Sequence, residues 1–439
     1  MIFKKYDSYK SSGVEWIDDI PNDWNIYRVA SIFKESKEKG EKGLPFLTVS
    51  IHNGVSSKEL SGKELDRKVL RVEDSSKNKK VRKNYLVYNM MRAWQGGFGT
   101  VEVDGMVSPA YVVARPIEEF KTKFIESLFR TPNGIAELKK YSKGIVDFRL
   151  RLYWSEFKNI HFALPPFDTQ IKIIEYLNKK IKKIDEEVEL LEQKIEKYKE
   201  LKYTLINKIV LRGLDKEVEL KSSNIEWIGK IPKHWEIKRL KELGFIETSS
   251  VNKKINEDEK IVNLVNYTDV YKSKTKEIYN DVGFMKVSAN NLQIKQKILR
   301  KGDVLFTPSS ETIEDIGISS VVMENLENTL YSYHLLRLRF TSKVDDCFKK
   351  FLFNNSAVQY YFSKSVKGTT RKILGLNDFY NLKILIPSYK EQTQIANYLD
   401  EKTSKIDTII ETIEEKIKVL KELRKTLIND VVTGKVKVE

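Results

Sequence analysis

The side chains in this sequence most able to do chemistry are basic, amide, hydroxyl and aromatic groups that cluster in several short segments. Arginine pairs with guanine, and asparagine or glutamine pairs with adenine, whereas lysine, serine and threonine suit the phosphate backbone. The candidate DNA-binding residues are Lys77, Lys79, Lys80, Arg82, Arg92, Trp94, Gln95, Arg149, Arg151, Asn290, Asn291, Gln293, Lys295, Ser309, Ser310, Thr312, Thr369, Thr370, Arg371 and Lys372. Together they predict surfaces that bind DNA.

Composition and charge agree with a DNA partner. The 439 residues carry 78 Lys and Arg against 62 Asp and Glu, a net charge of +16, which favours a polyanion. Cys347 is the one cysteine, which excludes an internal disulfide and a multi-cysteine metal site. The sequence has no apolar run long enough for a membrane span and no apolar stretch typical of a signal peptide. We therefore expect a cytoplasmic protein without membrane contact.

The sequence lacks the common motifs of nucleotide-binding and zinc-dependent enzymes. The sequence has no phosphate-binding loop of the Gly-x4-Gly-Lys-Ser/Thr type, and residues 96–99, Gly-Gly-Phe-Gly, lack the lysine that would hold a phosphate. We expect that segment to be a turn, or a loop whose backbone approaches DNA. The four histidines, His52, His161, His234 and His334, are far apart and show no helical ligand spacing. Zinc chemistry is therefore not predicted.

One short motif has a catalytic look-alike. Leu164-Pro-Pro-Phe167 resembles the Asp/Asn/Ser-Pro-Pro-aromatic loop of amino-methyltransferases, but its first residue is leucine, and the second copy, Ile386-Pro-Ser-Tyr389, departs further. The prolines are better explained as ending a strand and starting a helix, because proline suits the first helical turn. The sequence thus predicts a chain with no catalytic residue, no metal and no cofactor of its own.

These candidate segments lie within a duplicated frame. Residues Lys10–Val29 recur as Lys221–Leu240, with 11 of 20 positions identical, and Pro165–Val210 recurs as Pro387–Val432, with 21 of 46 identical. The segments between the repeated blocks hardly match. A repeat of this kind indicates two copies of one structural unit, so the sequence predicts a constant frame that holds two different inserts.

The second repeated block predicts a coiled coil. Its apolar residues follow alternating spacings of three and four, the pattern of a helix that packs on another helix. Lys202 interrupts the first seam, and Arg424 occupies the equivalent place in the second. The predicted seam residues are Leu177, Ile181, Ile184, Val188, Leu191, Ile195, Leu399, Ile406, Ile410, Ile413, Ile417 and Leu420. We expect the two seams to pack together; the alternative is two separate amphipathic helices, each packed on its own domain.

Helix length and chain direction then predict an architecture. A helix of about 42 residues spans roughly 60 Å and would act as a spacer. The first helix leads from the first insert to the second, so a partner helix packed along it must run back. The inserts themselves show short β-rich runs, such as 85–94 and 106–114 in the first and 303–307 and 333–340 in the second. The predicted fold is α+β: two α+β domains at opposite ends of an antiparallel two-helix coiled coil, related by an internal pseudo-two-fold repeat.

At this point the motifs resemble a known family. The paired Lys-Ser-Ser-x-x-Glu-Trp-Ile blocks at 10–17 and 221–228, the helix start Gln392-Thr-Gln-Ile-Ala-Asn-Tyr-Leu399, and the segments 92–96 and 107–111 resemble the DNA specificity subunits of type I restriction-modification systems. The resemblance covers essentially the whole chain. Asp18 and Asp19 depart from the usual first block, and residues 168–170 are an irregular helix start.

The resemblance implies a division of the chain into recognition and frame segments. Each target-recognition domain would bind one half of an asymmetric, bipartite DNA sequence, with half-sites about one helical turn, roughly 34 Å, apart. The implied target-recognition domains are 24–166 and 235–388. The implied frame consists of an N-terminal conserved segment at 1–23, spacer helices at 167–212 and 389–432, a linker with the repeated conserved segment at 213–234, and a tail at 433–439.

The resemblance also implies partners. Two modification subunits would bind S-adenosylmethionine and methylate N6 of a flipped adenine, and two restriction subunits would supply ATP- and Mg-dependent translocation and cleavage. This chain would contribute DNA recognition and assembly. Two other hypotheses remain open from the residues alone: a coiled-coil protein-interaction adaptor without sequence-specific DNA binding, and a stand-alone nuclease or methyltransferase.

Overall fold

Two compact units make up the chain in the computed structural model, which describes residues 4–51, 54–56, 75–144, 149–281 and 283–438. Unit 1 comprises Met1–Glu192 with Glu414–Glu439, and unit 2 comprises Gln193–Ile413. Each unit combines sheets, short helices and segments of both long helices. The predicted α+β class is confirmed. His52 lies outside the described residues. Within them, no helix has the length and apolarity that a membrane crossing requires.

Unit 1 has a four-stranded antiparallel sheet at its centre. Its strand order is Phe33–Ser36, Tyr111–Pro116, Leu86–Asn89 and Phe98–Thr100. Helices Thr122–Phe129 and Pro132–Lys140 follow it in the chain, and the buried Phe124 and Phe129 join the core of the unit. The other elements are strands Tyr9–Lys10, Ile20–Pro21, Asn25–Arg28, Thr48–Ser50, Gly54–Ser56, Lys79–Val81, Gly105–Val107 and His161–Leu164, α-helices Val29–Ile32 and Trp154–Phe157, and 3-10 turns Ser75–Lys77 and Ala93–Gln95.

Unit 2 has two larger sheets. A five-stranded sheet has the order Gly244–Thr248, Leu336–Phe340, Val304–Phe306, Ser319–Val322, Glu277–Ile278, and a three-stranded sheet has the order Met285–Ala289, Lys260–Val265, Thr329–Tyr331. The other strands are Leu220–Ser222, Lys230–Pro232, Glu236–Arg239, Ser309–Ser310, Lys372–Ile373 and Lys383–Ile386. The shorter helices are Leu240–Glu242, Tyr267–Tyr271, Asn291–Lys297, Asp346–Phe353, Ser356–Ser365 and Leu376–Asn381.

Each insert begins and ends on one pair of antiparallel strands. Asn25–Arg28 pairs with His161–Leu164 in unit 1, and Glu236–Arg239 pairs with Lys383–Ile386 in unit 2. The two long helices begin three residues after these strands, at Phe167 and Tyr389. The expectation that the prolines after Leu164 end a strand and start a helix is therefore confirmed.

A buried glutamine fastens the start of each long helix to its insert. In unit 1, Gln170 donates to the Pro165 carbonyl at 2.8 Å and accepts from the Lys121 amide at 2.9 Å. In unit 2, Gln392 donates to the Pro387 carbonyl at 2.9 Å and accepts from the Asp345 amide at 2.9 Å. Both side chains are almost fully buried. A buried amide costs free energy unless its polar atoms are paired, and both contacts satisfy that need.

The long helices, Phe167–Arg212 and Tyr389–Val432, pack antiparallel within unit 1. Asp185 pairs with Arg424 at 3.0 Å, and further along the first helix Glu192 pairs with Lys421 at 3.2 Å. The unit 1 seam residues are buried or half-buried: Leu177, Ile181, Ile184, Val188, Leu191, Ile417 and Leu420.

Unit 2 contains the corresponding packing. The unit 2 seam residues, Ile195, Leu399, Ile406, Ile410 and Ile413, are again buried or half-buried. Lys202 lies within 2.6 Å of Asp407. Because the frame repeats with Asp185 matching Asp407 and Lys202 matching Arg424, this is the same ion pair as the one in unit 1. The polar interruptions of the seam are therefore paired across the helices in both units.

A glycine ends each long helix beside a tryptophan of the frame. Gly213 faces Trp235 in unit 2, and Gly434 faces Pro21 and Trp24 in unit 1, both with left-handed backbone angles. The chain after Gly434 contacts Lys4 of the same unit, since the Lys437 amide donates to the Lys4 carbonyl at 2.8 Å.

Substitution of Gly434 by alanine should destabilise unit 1 by more than about 2 kcal/mol in urea unfolding. Left-handed backbone alone costs a residue with Cβ about 1 kcal/mol, and this Cβ would also lie 2.5 Å from Pro21 Cδ. Gly13→Ala is the matched control: it has a similar angle with nothing within 4 Å, and it should show only the backbone cost. Equal effects of the two substitutions would contradict this packing.

Candidate nucleic-acid interface

The first basic segment of unit 1 lies on strand Lys79–Val81 and its flanks. The Lys79 ammonium donates to the Tyr111 carbonyl at 2.6 Å, and burial lowers its pKa. Lys80 pairs with Glu41 at 2.6 Å, and Arg82 pairs with Glu38 at 2.8 Å. Lys77 is exposed in the preceding turn. These cations thus already have protein partners, so a phosphate would have to compete with carboxylates for Lys80 and Arg82.

The second candidate group of unit 1 lies in the turn after strand Leu86–Asn89. Arg92 donates to the Gln95 side chain at 2.8 Å, and the indole of Trp94 donates to the Met91 carbonyl at 3.1 Å. The Lys139 ammonium lies 5.8 Å from the Trp94 ring centre. The structure therefore brings Arg92, Trp94 and Gln95 together on one turn, with Gln95 exposed.

A buried carboxylate and a guanidinium hold this turn in place. Glu126 accepts from the Thr100 amide at 2.8 Å and pairs with Arg130 at 3.2 Å. Arg130 also donates to the carbonyls of Ile51 at 3.0 Å and Phe98 at 2.5 Å. The strand that follows the turn is thereby fixed by charge-assisted hydrogen bonds, which are stronger than neutral ones.

The glycines of the same segment serve internal packing. Gly96 has a left-handed angle and ends the 3-10 turn. A Cβ on Gly97 would lie 2.7 Å from Arg92 Cβ, and one on Gly99 would lie 2.7 Å from the Val55 amide nitrogen. The expected turn is present, and these contacts explain the glycines without an approach of the backbone to DNA.

The third candidate group of unit 1 lies near the end of the insert. Arg151 forms a backbone bridge with Lys143, and the exposed Arg149 lies beside the bridge. The Gly144 backbone packs directly against that of Arg149, since a Cβ on Gly144 would lie 2.8 Å from the Arg149 carbonyl oxygen. The two arginines are thus close in the fold, and their part in DNA binding remains a prediction.

In unit 2, the amide-rich candidates form a helix cap. Asn290 accepts from the Gln293 amide at 2.9 Å, and the Gln293 side chain accepts from the Asn290 amide at 3.0 Å. This reciprocal arrangement is a capping box, and the Asn-x-x-Gln spacing was its sequence signal. Asn291 and Lys295 are exposed on the short helix that follows. Each of the two side-chain oxygens thus already accepts one hydrogen bond within the protein, and the part of Asn290 and Gln293 in DNA binding remains a prediction.

The remaining unit 2 candidates converge on one small sheet. Strand Ser309–Ser310 pairs with Lys372–Ile373, so two segments more than 60 positions apart meet. Lys372 donates to the Gly368 carbonyl at 3.0 Å. The loop between Gly368 and Lys372 carries three exposed candidates, Thr369, Thr370 and Arg371.

Four residues at this sheet were not among the predicted ones. Thr312 and Tyr271 both donate to Asp315 Oδ2, at 2.9 and 3.0 Å, and the Tyr271 ring stacks on Tyr267 with centres 5.6 Å apart. Burial lowers the pKa of His334, and the positive charges of Lys253 and then Arg371 lower it further. Sequence reasoning missed Tyr267, Tyr271, Asp315 and His334 because they come from three separate segments of the chain, one short helix and two turns, with no common motif.

Among the residues that the structure describes, no group of three or more His, Cys, Asp or Glu side chains could hold a metal ion. His234 is partnered, since its Nε2 lies 2.8 Å from Glu391 Oε1.

Comparisons with known proteins agree with this arrangement. Residues 232–419 match the family model of the type I restriction modification DNA specificity domain. The type I restriction enzyme MjaVIII specificity subunit of Methanocaldococcus jannaschii is 25% identical over 438 residues, which is 96% of this chain and 94% of that protein. The relative therefore matches along almost its full length.

Two solved structures have a similar fold. A chain from a study of complex assembly and conformational transition of the type I R-M system superposes with a TM-score of 0.69 at 17% identity, covering 94% of this chain and 98% of that one. The HsdS subunit of Thermoanaerobacter tengcongensis superposes with a TM-score of 0.56 at 16% identity, covering 95% and 98%.

Replacement of Arg130 by methionine should destabilise unit 1 by about 2 kcal/mol in urea unfolding. The change removes one of the two cations paired with the buried Glu126 carboxylate, Lys123 being the other, and takes a donor away from the Ile51 and Phe98 carbonyls. Hydrogen exchange of amides 98–100 should also become faster. Lys143→Met, which breaks the exposed pair with Glu156, is the control and should cost less than about 1 kcal/mol. An Arg130 variant as stable as this control would contradict the positioning role.

Proposed function

Because this chain belongs to the family of type I restriction-modification DNA specificity subunits, we propose that it recognises an asymmetric, bipartite DNA sequence, one half with each unit. The observation that supports this proposal is that the contacts of the frame are the same in both units, whereas the candidate DNA-binding surfaces of the two units differ. The glutamine bridges and seam ion pairs are equivalent in both units. Unit 1 offers Arg92 and Trp94 on a turn, whereas unit 2 offers Arg371 beside a small sheet.

The chain supplies recognition, and bond chemistry belongs to its partners. It assembles with DNA and with restriction-modification subunits. The finer composition is part of the proposal: two modification subunits that bind S-adenosylmethionine and methylate adenine N6, and two motor-nuclease subunits that use ATP and Mg.

An exchange of residues 240–382 for the equivalent segment of a relative with a different target should change only one half of the methylated sequence. The exchange keeps both strands that frame the insert, Glu236–Arg239 and Lys383–Ile386, so the fold should be preserved. The measurement is sequencing of methylated bases in a host that expresses the chain with its modification subunits. The matching exchange of 29–160 should change the other half, and an unchanged sequence after both exchanges would contradict the proposal.

The affinity for duplex DNA should fall steeply with salt. Each phosphate neutralised by Lys or Arg releases counterions, so log K should decrease against log salt with a slope of about −0.9 per phosphate contact. A titration by fluorescence anisotropy between 50 and 200 mM salt tests this, with a duplex that lacks the methylated sequence as the control. The adaptor hypothesis, in which the inserts bind proteins, predicts no such dependence.

A further inference from the structure

One surface of unit 2 carries both a hydrogen-bond donor and a hydrogen-bond acceptor that no described residue occupies. We call it the tyrosine–arginine surface, and it consists of Tyr267, Tyr271, Ser310, Asp315, His334 and Arg371. Burial raises the pKa of Tyr267 and a hydrogen bond with Ser310 lowers it, while the charges of Asp315 and Arg371 act on the same phenol. Strand Ser309–Ser310 precedes Asp315 and pairs with strand Lys372–Ile373, which directly follows Arg371, so this small sheet joins the segments that carry the aspartate and the arginine.

The aspartate of this surface is held in one orientation. The hydroxyls of Tyr271 and Thr312 both donate to its Oδ2 atom. Its Oδ1 atom accepts no hydrogen bond from any other described residue. Asp315 is half-exposed. Its Oδ1 atom can therefore accept a hydrogen bond from an amino group outside the protein.

The arginine is an open donor. Arg371 is exposed, and across the described ranges its guanidinium has neither a carboxylate partner nor a hydrogen bond. In this it differs from Arg82, which pairs with Glu38, and from Lys372, which donates to a carbonyl. The guanidinium fork matches the two acceptors of guanine in the major groove.

We propose that the tyrosine–arginine surface recognises guanine and cytosine in the half-site bound by unit 2. Arg371 donates to O6 and N7 of the guanine, and Asp315 Oδ1 accepts from the N4 amino group of the cytosine. A carboxylate can accept a hydrogen bond from the N4 amino group of cytosine, so cytosine is the base that suits Asp315. A phosphate does not suit it, because both groups are negatively charged. Tyr271 is a positioning residue, since it acts through Asp315. The inference rests on the proposed function of the chain.

The test is sequencing of methylated bases from hosts that express the full chain, or a variant, with its modification subunits. The wild-type half-site of unit 2, identified by the exchange of 240–382, should contain a required guanine and a required cytosine. Arg371→Ala should reduce the preference for guanine over the other bases at its position by about 10- to 100-fold. The half-site bound by unit 1 should stay unchanged. Asp315→Asn should reduce the preference for cytosine over the other bases at its position. Tyr271→Phe should reduce the same preference to a smaller extent, because it acts through Asp315.

Two variants guard against loss of folding and loss of charge. Arg371→Lys keeps the positive charge but lacks the paired donors, so it should relax guanine while non-specific duplex affinity stays within about twofold. Arg300→Ala removes an exposed arginine of the same unit outside this surface and should leave the sequence unchanged. Thermal unfolding of each variant should match the wild type.

The outcomes separate the two levels of the account. If the wild type methylates a defined sequence and the Arg371 and Asp315 variants methylate the same one, this inference is wrong and the proposed function stands. Uniform weakening of all positions by Arg371→Ala would make Arg371 a phosphate contact and would also overturn the inference. If the wild type with active modification subunits gives no defined sequence, the proposed function itself fails.

Discussion

The architecture depends on the contact between each long helix and the insert that precedes it. A glutamine in the first turn, Gln170 or Gln392, bridges a carbonyl before the helix and an amide at the start of a helix of the insert. Both glutamines are almost fully buried, so the bond geometry is enforced by the cost of leaving an amide unpaired. The start of the long helix is therefore joined to the insert by the same contacts in both units, although the surfaces of the inserts differ.

The seam adds specificity to this frame. Leucine and isoleucine side chains supply the apolar burial, and the Asp185–Arg424 and Lys202–Asp407 pairs add polar contacts that only one alignment of the helices satisfies. Partly exposed ion pairs contribute little stability. Polar groups in a helix seam instead select register, because any other alignment leaves them unpaired. The repeat has preserved the pair while exchanging lysine for arginine.

Sequence reasoning recovered the frame much better than the surfaces. The helices are long and strongly periodic, so their existence followed from the spacing of apolar residues. Their packing on each other was the favoured of two interpretations, and the duplication supported it. The glutamine bridges joined residues 49 and 47 positions apart, which no local pattern reveals. Asn290 and Gln293, which the sequence predicts to bind DNA, also form a capping box. Tyr271, Asp315 and Arg371 come together only through folding, so composition could not identify them as a group.

The repeated frame and the divergent inserts support the proposal that a duplicated frame with two different surfaces recognises an asymmetric DNA sequence. The most direct measurement is sequencing of all methylated adenines in a host whose only type I modification genes are this chain and its modification subunits. Recognition by two different units at a fixed separation should give a single motif with two different half-sites and a spacer of fixed length. A palindromic motif, a motif without a fixed spacer, or methylation without sequence preference would contradict it.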